Sequence, residues 1–244
     1  MALESRANVH GIGWVLPGGA GSGPGILELA DNPPVPERNH ELDDFDGRSF
    51  LKSVKGYLDP ADGFFLSAAV LAMNEAPEPI SERAGICSIT QYGTTVSAYR
   101  FFTQLAGKGP RFASPLVFPH GYANSPGNLA AIEFGAGGPH MVLNGTADVR
   151  EAMEFAVLQV DTGGAPDMLA GAFEAVTRDA VQDGTEVLNG AVVLWLSAAP
   201  GGLFPLELKS LRKAESAIGN DSWKRRGAVH ALLHLLRGAD TAAR

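Results

Sequence analysis

Residues 138–149 read Gly-Pro-His-Met-Val-Leu-Asn-Gly-Thr-Ala-Asp-Val. The Gly-Pro pair breaks whatever precedes it, and the apolar run that follows predicts a short strand over His140–Asn144. Gly145 turns the chain, Asp148 stands where a helix N-cap would, and the spacing after it predicts an amphipathic helix over Val149–Val160. Working outward, Asn124–Phe134 reads as a helix closed by Gly135, Thr94–Ala106 as another, and Ala84–Thr90 as a strand. Further back, Gly63–Ala76 has Phe64, Ala68, Leu71 and Ala72 on one helical face behind Asp62 as N-cap. Asn8–Val15 reads as a buried strand ended by Pro17-Gly18-Gly19. Residues 18–62 are loop-like, rich in Gly, Pro, Asn and Asp. Downstream, Met168–Ala175 and Ala191–Ser197 read as a closing pair of buried strands and Leu206–Leu211 as an edge strand. Lys224–Arg237 reads as a last helix with Val229, Leu232, Leu233 and Leu236 on its apolar side. This alternation implies an α/β layered domain with a largely parallel sheet.

The composition is that of a globular protein: 244 residues, 45% hydrophobic and 19% charged, enough for one sizeable core. A net charge of −8 argues against nucleic acid as a partner. No run approaches the roughly 18 apolar residues of a membrane span. The N-terminus has no basic region leading into a long apolar stretch, so a cytoplasmic location is expected. Toward the C-terminus Lys213, Lys224, Arg225, Arg226 and Arg237 form a local basic cluster, explained first as a solvated face and second as a binding patch. The single cysteine, Cys87, precludes an internal disulfide and a cysteine-based zinc site.

Several motifs fail on their chemistry. After Gly11 and Gly13 a dinucleotide fingerprint needs a small residue where Leu16 stands, and no Gly-Lys-Ser/Thr follows the glycines at 18–25. Tight turns explain these glycines better. His230 and His234 are four apart, but the glutamate of a zinc-protease helix is missing, so no metal is expected. Gly-x-Ser-x-Gly is absent, and Cys87 lies within an apolar run where a thiol acts as a small hydrophobe.

Several segments taken together carry a resemblance. Val9-His10-Gly11-Ile12-Gly13 through Pro17-Gly18 comes first. Gly109-Pro110-Arg111 follows, then Ser114-Pro115-Leu116-Val117-Phe118-Pro119 and Asn124. Gly138-Pro139 comes before a short strand, Ala170-Gly171-Ala172-Phe173-Glu174 follows it, and Gly190 to Leu196 closes the series. In that order they resemble the N-terminal half of the β-ketoacyl synthases, in the thiolase-like superfamily. The resemblance implies a layered thiolase-like half: a mixed, mostly parallel five-stranded sheet with helices on both faces, the family's C-terminal half missing. It implies a ketoacyl-synthase N-terminal-like domain over residues 1–200 and a C-terminal extension over 201–244.

The departures from the family matter most. Counting from Gly138-Pro139 places Ala147 where active members carry the nucleophilic cysteine, and a one-residue slip offers Thr146. Neither forms the family's acyl-enzyme, and an anionic Asp148 would repel a thiolate. The second-half residues that assist the family's cysteine also have no counterpart. A nucleophile-less relative of this kind resembles a chain-length factor, in particular the truncated type of aryl polyene pathways. As such it would pair with a full-length β-ketoacyl synthase as a heterodimer and shape its acyl pocket, with no cofactor of its own. By that analogy His140–Asn144 would meet its counterpart in the partner. Phe118, Tyr122, Asn124, His140, Asn144, Asp148, Met153 and Phe155 are the pocket and interface candidates. Lys213, Lys224, Arg225, Arg226 and Arg237 are candidates for touching an acidic acyl carrier protein, although the last helix could instead cover surface left by the missing half. The competing classes are a self-sufficient thioesterase or acyltransferase using Thr146, Asp148 or a nearby histidine, and a homodimeric acyl-binding scaffold.

Overall fold

The computed structural model describes residues 5–30, 45–53, 56–76, 79–177, 187–218 and 226–243. Among these residues the chain forms β1 (Arg6–Leu16), β2 (Gly19–Ser22), α1 (Pro60–Asn74), β3 (Gly85–Thr90), α2 (Thr95–Lys108) and α3 (Ser125–Phe134). It continues with β4 (His140–Asn144), α4 (Val149–Asp161), β5 (Asp167–Glu174), β6 (Gly190–Ser197), β7 (Phe204–Glu207), α5 (Leu208–Ile218) and α6 (Ala228–Ala243). The strands make one mixed sheet in the order β2-β1-β6-β5-β3-β4, with β7 also on β1.

The α/β layered architecture with helices on both faces is as expected, but the strand count and directions differ. The sheet has seven described strands rather than five. Parallel pairing is confined to β3 with β4 and β5, while β1 meets β2, β6 and β7 antiparallel and β5 meets β6 antiparallel. The reason lies in the connections. A parallel neighbour needs a crossover of a dozen or more residues, and Pro17-Gly18 can only close a hairpin.

Strand alternation sorts the core into two layers. On β6, Ala191, Val193 and Trp195 face one side and join Phe65, Ala68 and Ala72 of α1. Val192, Leu194 and Leu196 face the other side and join Met153 of α4 with Val229, Leu232, Leu233 and Leu236 of α6. Helix α1 starts earlier than expected because Pro60 occupies its first turn. Asp59 is the N-cap, accepting from the Ala61 amide at 2.9 Å, while Asp62 reaches back to the Asp59 amide in a capping box.

Gly11 and Gly13 are not turn residues. They lie mid-strand beneath α1, where an added Cβ would overlap the carbonyls of Ala72 and Ala68. Helix and sheet therefore approach backbone to backbone. The turn role holds for Gly18, at φ +95°.

The expected edge strand over Leu206–Leu211 is half right. β7 ends at Glu207 and the chain turns directly into α5, whose Leu208, Leu211 and Ala214 are buried against α6 at helical spacing. Helix α6 begins at Ala228 rather than Lys224; Lys224 and Arg225 lie outside the described residues. Its leucines lie against β5, β6, β7 and α4. The sheet face that might have lain open is thus closed by the chain's own last two helices.

Candidate functional site

The carboxyl ends of the parallel strands β3, β4 and β5 carry Thr90, Asn144 and Glu174 side by side, the location where α/β sheets place ligands. The turn after β4 is built on Gly145, at φ +81°, whose amide donates to the Thr90 carbonyl at 3.1 Å. Thr146 is partly exposed, and its hydroxyl accepts from the Asp148 amide at 3.0 Å; among the described residues no base is hydrogen-bonded to it. Ala147 is buried. Among the described residues no non-glycine residue has positive φ, so Ala147 is not held in a strained elbow. Asp148 takes the N-cap position of α4 but makes no side-chain cap bond, and its Oδ1 is buried without a partner.

Glu174 organises the neighbouring loop. It is fully buried, and burial pushes its carboxyl up to about 7 despite four donors that oppose the shift. Oε1 accepts from the amides of Gln91 and Ala228, both at 2.8 Å, and Oε2 from the Thr90 hydroxyl at 3.0 Å and the Tyr92 amide at 3.2 Å. One carboxylate thus ties the β3–α2 turn to the N-terminus of α6, where the helix dipole favours an anion.

A second polar cluster links α1, α2 and the 3-10 turn Phe118–Gly121. Buried Asp59 accepts from the Ser97 amide at 2.8 Å; burial, with Asp62 beside it, pushes Asp59 up to about 6. His120 Nδ1 lies 2.7 Å from Asp62 Oδ2 and 3.4 Å from Ser125 Oγ. Serine, histidine and aspartate thus meet, yet both contacts fall on the same ring nitrogen. A nucleophile relay needs one partner on each nitrogen, so this cluster braces the turn instead. Tyr57, edge-on to His120 at 5.1 Å, joins the network to a cavity of about 210 Å³ lined in part by Arg48, Asp59 and Arg100.

The sequence-derived candidates divide. Phe118 and Tyr122 are exposed and pack edge to face at 5.3 Å. Asn124 and Asn144 are exposed; His140 lies against Gly127 of α3, and burial lowers its pKa. Met153 is sealed in the core under α4, and Phe155 packs against that same core, so neither shares a surface with Phe118. Lys213 is exposed on α5, whereas Arg226, just before α6, and Arg237, on α6, are partly buried. His230 and His234 meet at 3.2 Å between their Nε2 atoms, and no group of three metal-binding side chains occurs among the described residues. Burial pushes the Cys87 thiol up to about 12, which makes it inert at neutral pH.

The sequence reading missed the exposed apolar side chains of α2 and of the turns that follow it. Helix α2 spans fourteen residues, of which only Val96 and Ser97 are buried. Tyr99 and Phe102, each 61% exposed, continue into Phe112, Leu116 (74% exposed) and Phe118. Among the described residues β4 pairs only with β3. Helical periodicity marks α2 as a helix without saying how much of its apolar side the described residues leave exposed.

No protein-family model and no curated protein matches the sequence. Solved structures do. The ishigamide ketosynthase/chain length factor aligns with a TM-score of 0.66 at 16% identity, over 80% of this chain and 59% of that one. The AntDE:AntF assembly, a type II polyketide synthase acyl-carrier protein in complex with its ketosynthase, gives 0.63 at 17% identity, over 80% and 63%. A β-ketoacyl synthase from Burkholderia phymatum STM815 gives 0.59 at 17% identity, over 80% and 59%. The chain matches about three-fifths of the length of each of these relatives, and no described helix is long and apolar enough to cross a membrane. The fold is similar to about three-fifths of these ketosynthase and ketosynthase/chain length factor chains.

Proposed function

We propose that this chain is a chain-length-factor-like subunit with no condensing activity of its own. It pairs with an active, full-length β-ketoacyl synthase and helps shape the pocket for a chain growing on an acyl carrier protein, as in polyene, polyketide or fatty-acid-like elongation. The observation that carries the reading is the exposure of the apolar side chains of α2, Phe118 and Tyr122, together with β4 standing at the end of the sheet among the described residues. A helix that buries two of fourteen residues leaves its apolar side to a partner, and an open strand edge offers backbone groups for pairing. The turn at Thr146–Asp148, with no nucleophile and no bonded base, supports a non-catalytic role. Met153 and Phe155, on the core side of α4, fall out of the pocket wall; Phe118, Tyr122, Asn124, His140 and Asn144 remain in it.

The test is co-expression with a full-length ketosynthase encoded beside this chain, followed by size-exclusion chromatography with light scattering. A one-to-one complex is expected. A ketosynthase that elutes without this chain contradicts the proposal, as does acyl-thioester hydrolysis by the purified chain that Thr146→Ala abolishes.

A further inference from the structure

The brace at the Phe118–Gly121 turn leaves one ring nitrogen of His120 unused. Nδ1 lies 2.7 Å from Asp62 Oδ2; the Asp62 side chain is fully buried, whereas that of His120 is 14% exposed. The same Oδ2 accepts from the Asp59 amide at 2.9 Å, so the carboxylate is held from the α1 side as well. An aspartate on Nδ1 sets the tautomer: in the neutral imidazole the proton sits on Nδ1 and Nε2 carries a lone pair. Among the described residues Nε2 takes no hydrogen bond. It is not one of the buried side-chain atoms left without a partner either, so it reaches solvent. It does not open into the cavity beside Tyr57, whose lining lacks His120. Its neighbours along the turn are Phe118, Pro119 and Tyr122, all exposed.

We infer that His120 is a specificity-determining residue, offering a fixed hydrogen-bond acceptor to a hydroxyl group on the acyl chain. The inference rests on the pairing reading above and adds the substrate class: a chain that carries a hydroxyl, in preference to a saturated or an oxo chain. Phe118 and Tyr122 give contact area to any chain, but closing a pocket over the turn strips water from Nε2. A methylene placed there leaves the lone pair unmet, and a carbonyl oxygen sets lone pair against lone pair. A hydroxyl donates its proton into the bond. A site that keeps a polar group rejects the analogue lacking its match more strongly than an apolar pocket rejects an added hydroxyl. One unmet hydrogen bond of this kind corresponds to about tenfold in affinity. Asp62 is the positioning residue, acting through the ring.

The complex with the full-length ketosynthase encoded beside this chain is titrated calorimetrically with decanoyl-pantetheine, its hydroxy isomers at successive carbons, and their oxo counterparts. All are amide-linked, so that the ketosynthase cannot take up the chain covalently. One hydroxy isomer is expected to bind about tenfold tighter than the saturated chain and than its own oxo form. That preference is expected to vanish in His120→Asn, whose amide can still donate to Asp62. Equal affinities across the series, or a preference that survives His120→Asn, overturn the inference and leave the pairing intact. Nitrogen NMR of the wild type decides the matter even where the variant does not fold. At about pH 8 the ring is expected to carry its proton on Nδ1, and the Nε2 resonance is expected to move with the preferred hydroxy isomer and not with the saturated chain. A proton found on Nε2, or an Nε2 resonance that ignores the hydroxyl, overturns the inference. If the ketosynthase does not bind, the pairing reading falls, and the same ligands and resonance on the chain alone decide the inference.

Discussion

Glu174→Gln removes a charge and almost no volume, so it isolates what the buried carboxylate does. Four donors converge on Glu174, and Thr90 Oγ1 already accepts from the Gly93 amide at 2.9 Å. A glutamine offers one acceptor oxygen. With its NH2 in the Oε1 position, the amides of Gln91 and Ala228 both lose their partner. In the other orientation the Tyr92 amide and the Thr90 hydroxyl do. Each stranded donor costs about 1–3 kcal/mol, so the variant is expected to lose about 2–4 kcal/mol in urea unfolding. The Ala228 amide is expected to exchange faster as the N-terminus of α6 loosens. A pH series adds a sign. The carboxyl is pushed up to about 7 in the folded chain from an ordinary 4.5. Between those values the folded state holds the proton more tightly than the unfolded one. Wild-type stability from this group is therefore fully present below about pH 4.5 and declines as pH rises to about 7. Glutamine does not titrate, so the gap between wild type and variant narrows as pH rises. A loss below about 0.5 kcal/mol, the level of an ordinary surface change, or a gap that widens with pH, would refute the reasoning.

Three further outcomes follow from the packing. Gly13→Val drives a branched side chain into the Ala68 carbonyl of α1; at least about 3 kcal/mol is lost or no soluble protein is recovered, as thermal unfolding and expression yield will show. Leu232→Ala leaves a cavity under α6 and is expected to cost about 2–5 kcal/mol in the same unfolding assay. The native thiol of Cys87 is expected to resist alkylation until the chain is unfolded. Introduced at the turn, Ala147→Cys is expected to alkylate at pH 7 no faster than an ordinary thiol, because Asp148 stands beside it and no base is bonded to the turn. Mass spectrometry of iodoacetamide-treated protein reads both.

Much of the architecture was legible because local rules bind tightly. His140–Asn144 matched to the residue, since Gly138-Pro139 and Gly145 punctuate it on both sides. The described α-helices other than α5, which was read in part as an edge strand, were found within about six residues at each end. The errors share a cause: sequence pattern says what an element is, not what it meets. The directions of β1, β6 and β7 depend on connections whose geometry leaves no periodic trace. Gly11 and Gly13 look like turn glycines until α1 is seen lying on them. Met153 looks like a pocket wall until α4 is rotated onto the sheet. The nucleophile turn was read from the order of small motifs, and Gly145 turns the chain there as its position after the strand implied. The bare aromatic side of α2 was hidden because an apolar residue that is exposed and one that is buried are written with the same letter.

The pairing role is tested most directly at the edge of β4. Hydrogen–deuterium exchange over His140–Asn144, and over α2, with and without the full-length ketosynthase encoded beside this chain, reports on the groups proposed to meet the partner. The account expects protection confined to β4, α2 and the Phe118–Tyr122 turn, with α5 and α6 unchanged. Exchange at β4 that is unaffected by the ketosynthase, or protection that appears on α5 and α6 instead, would contradict it.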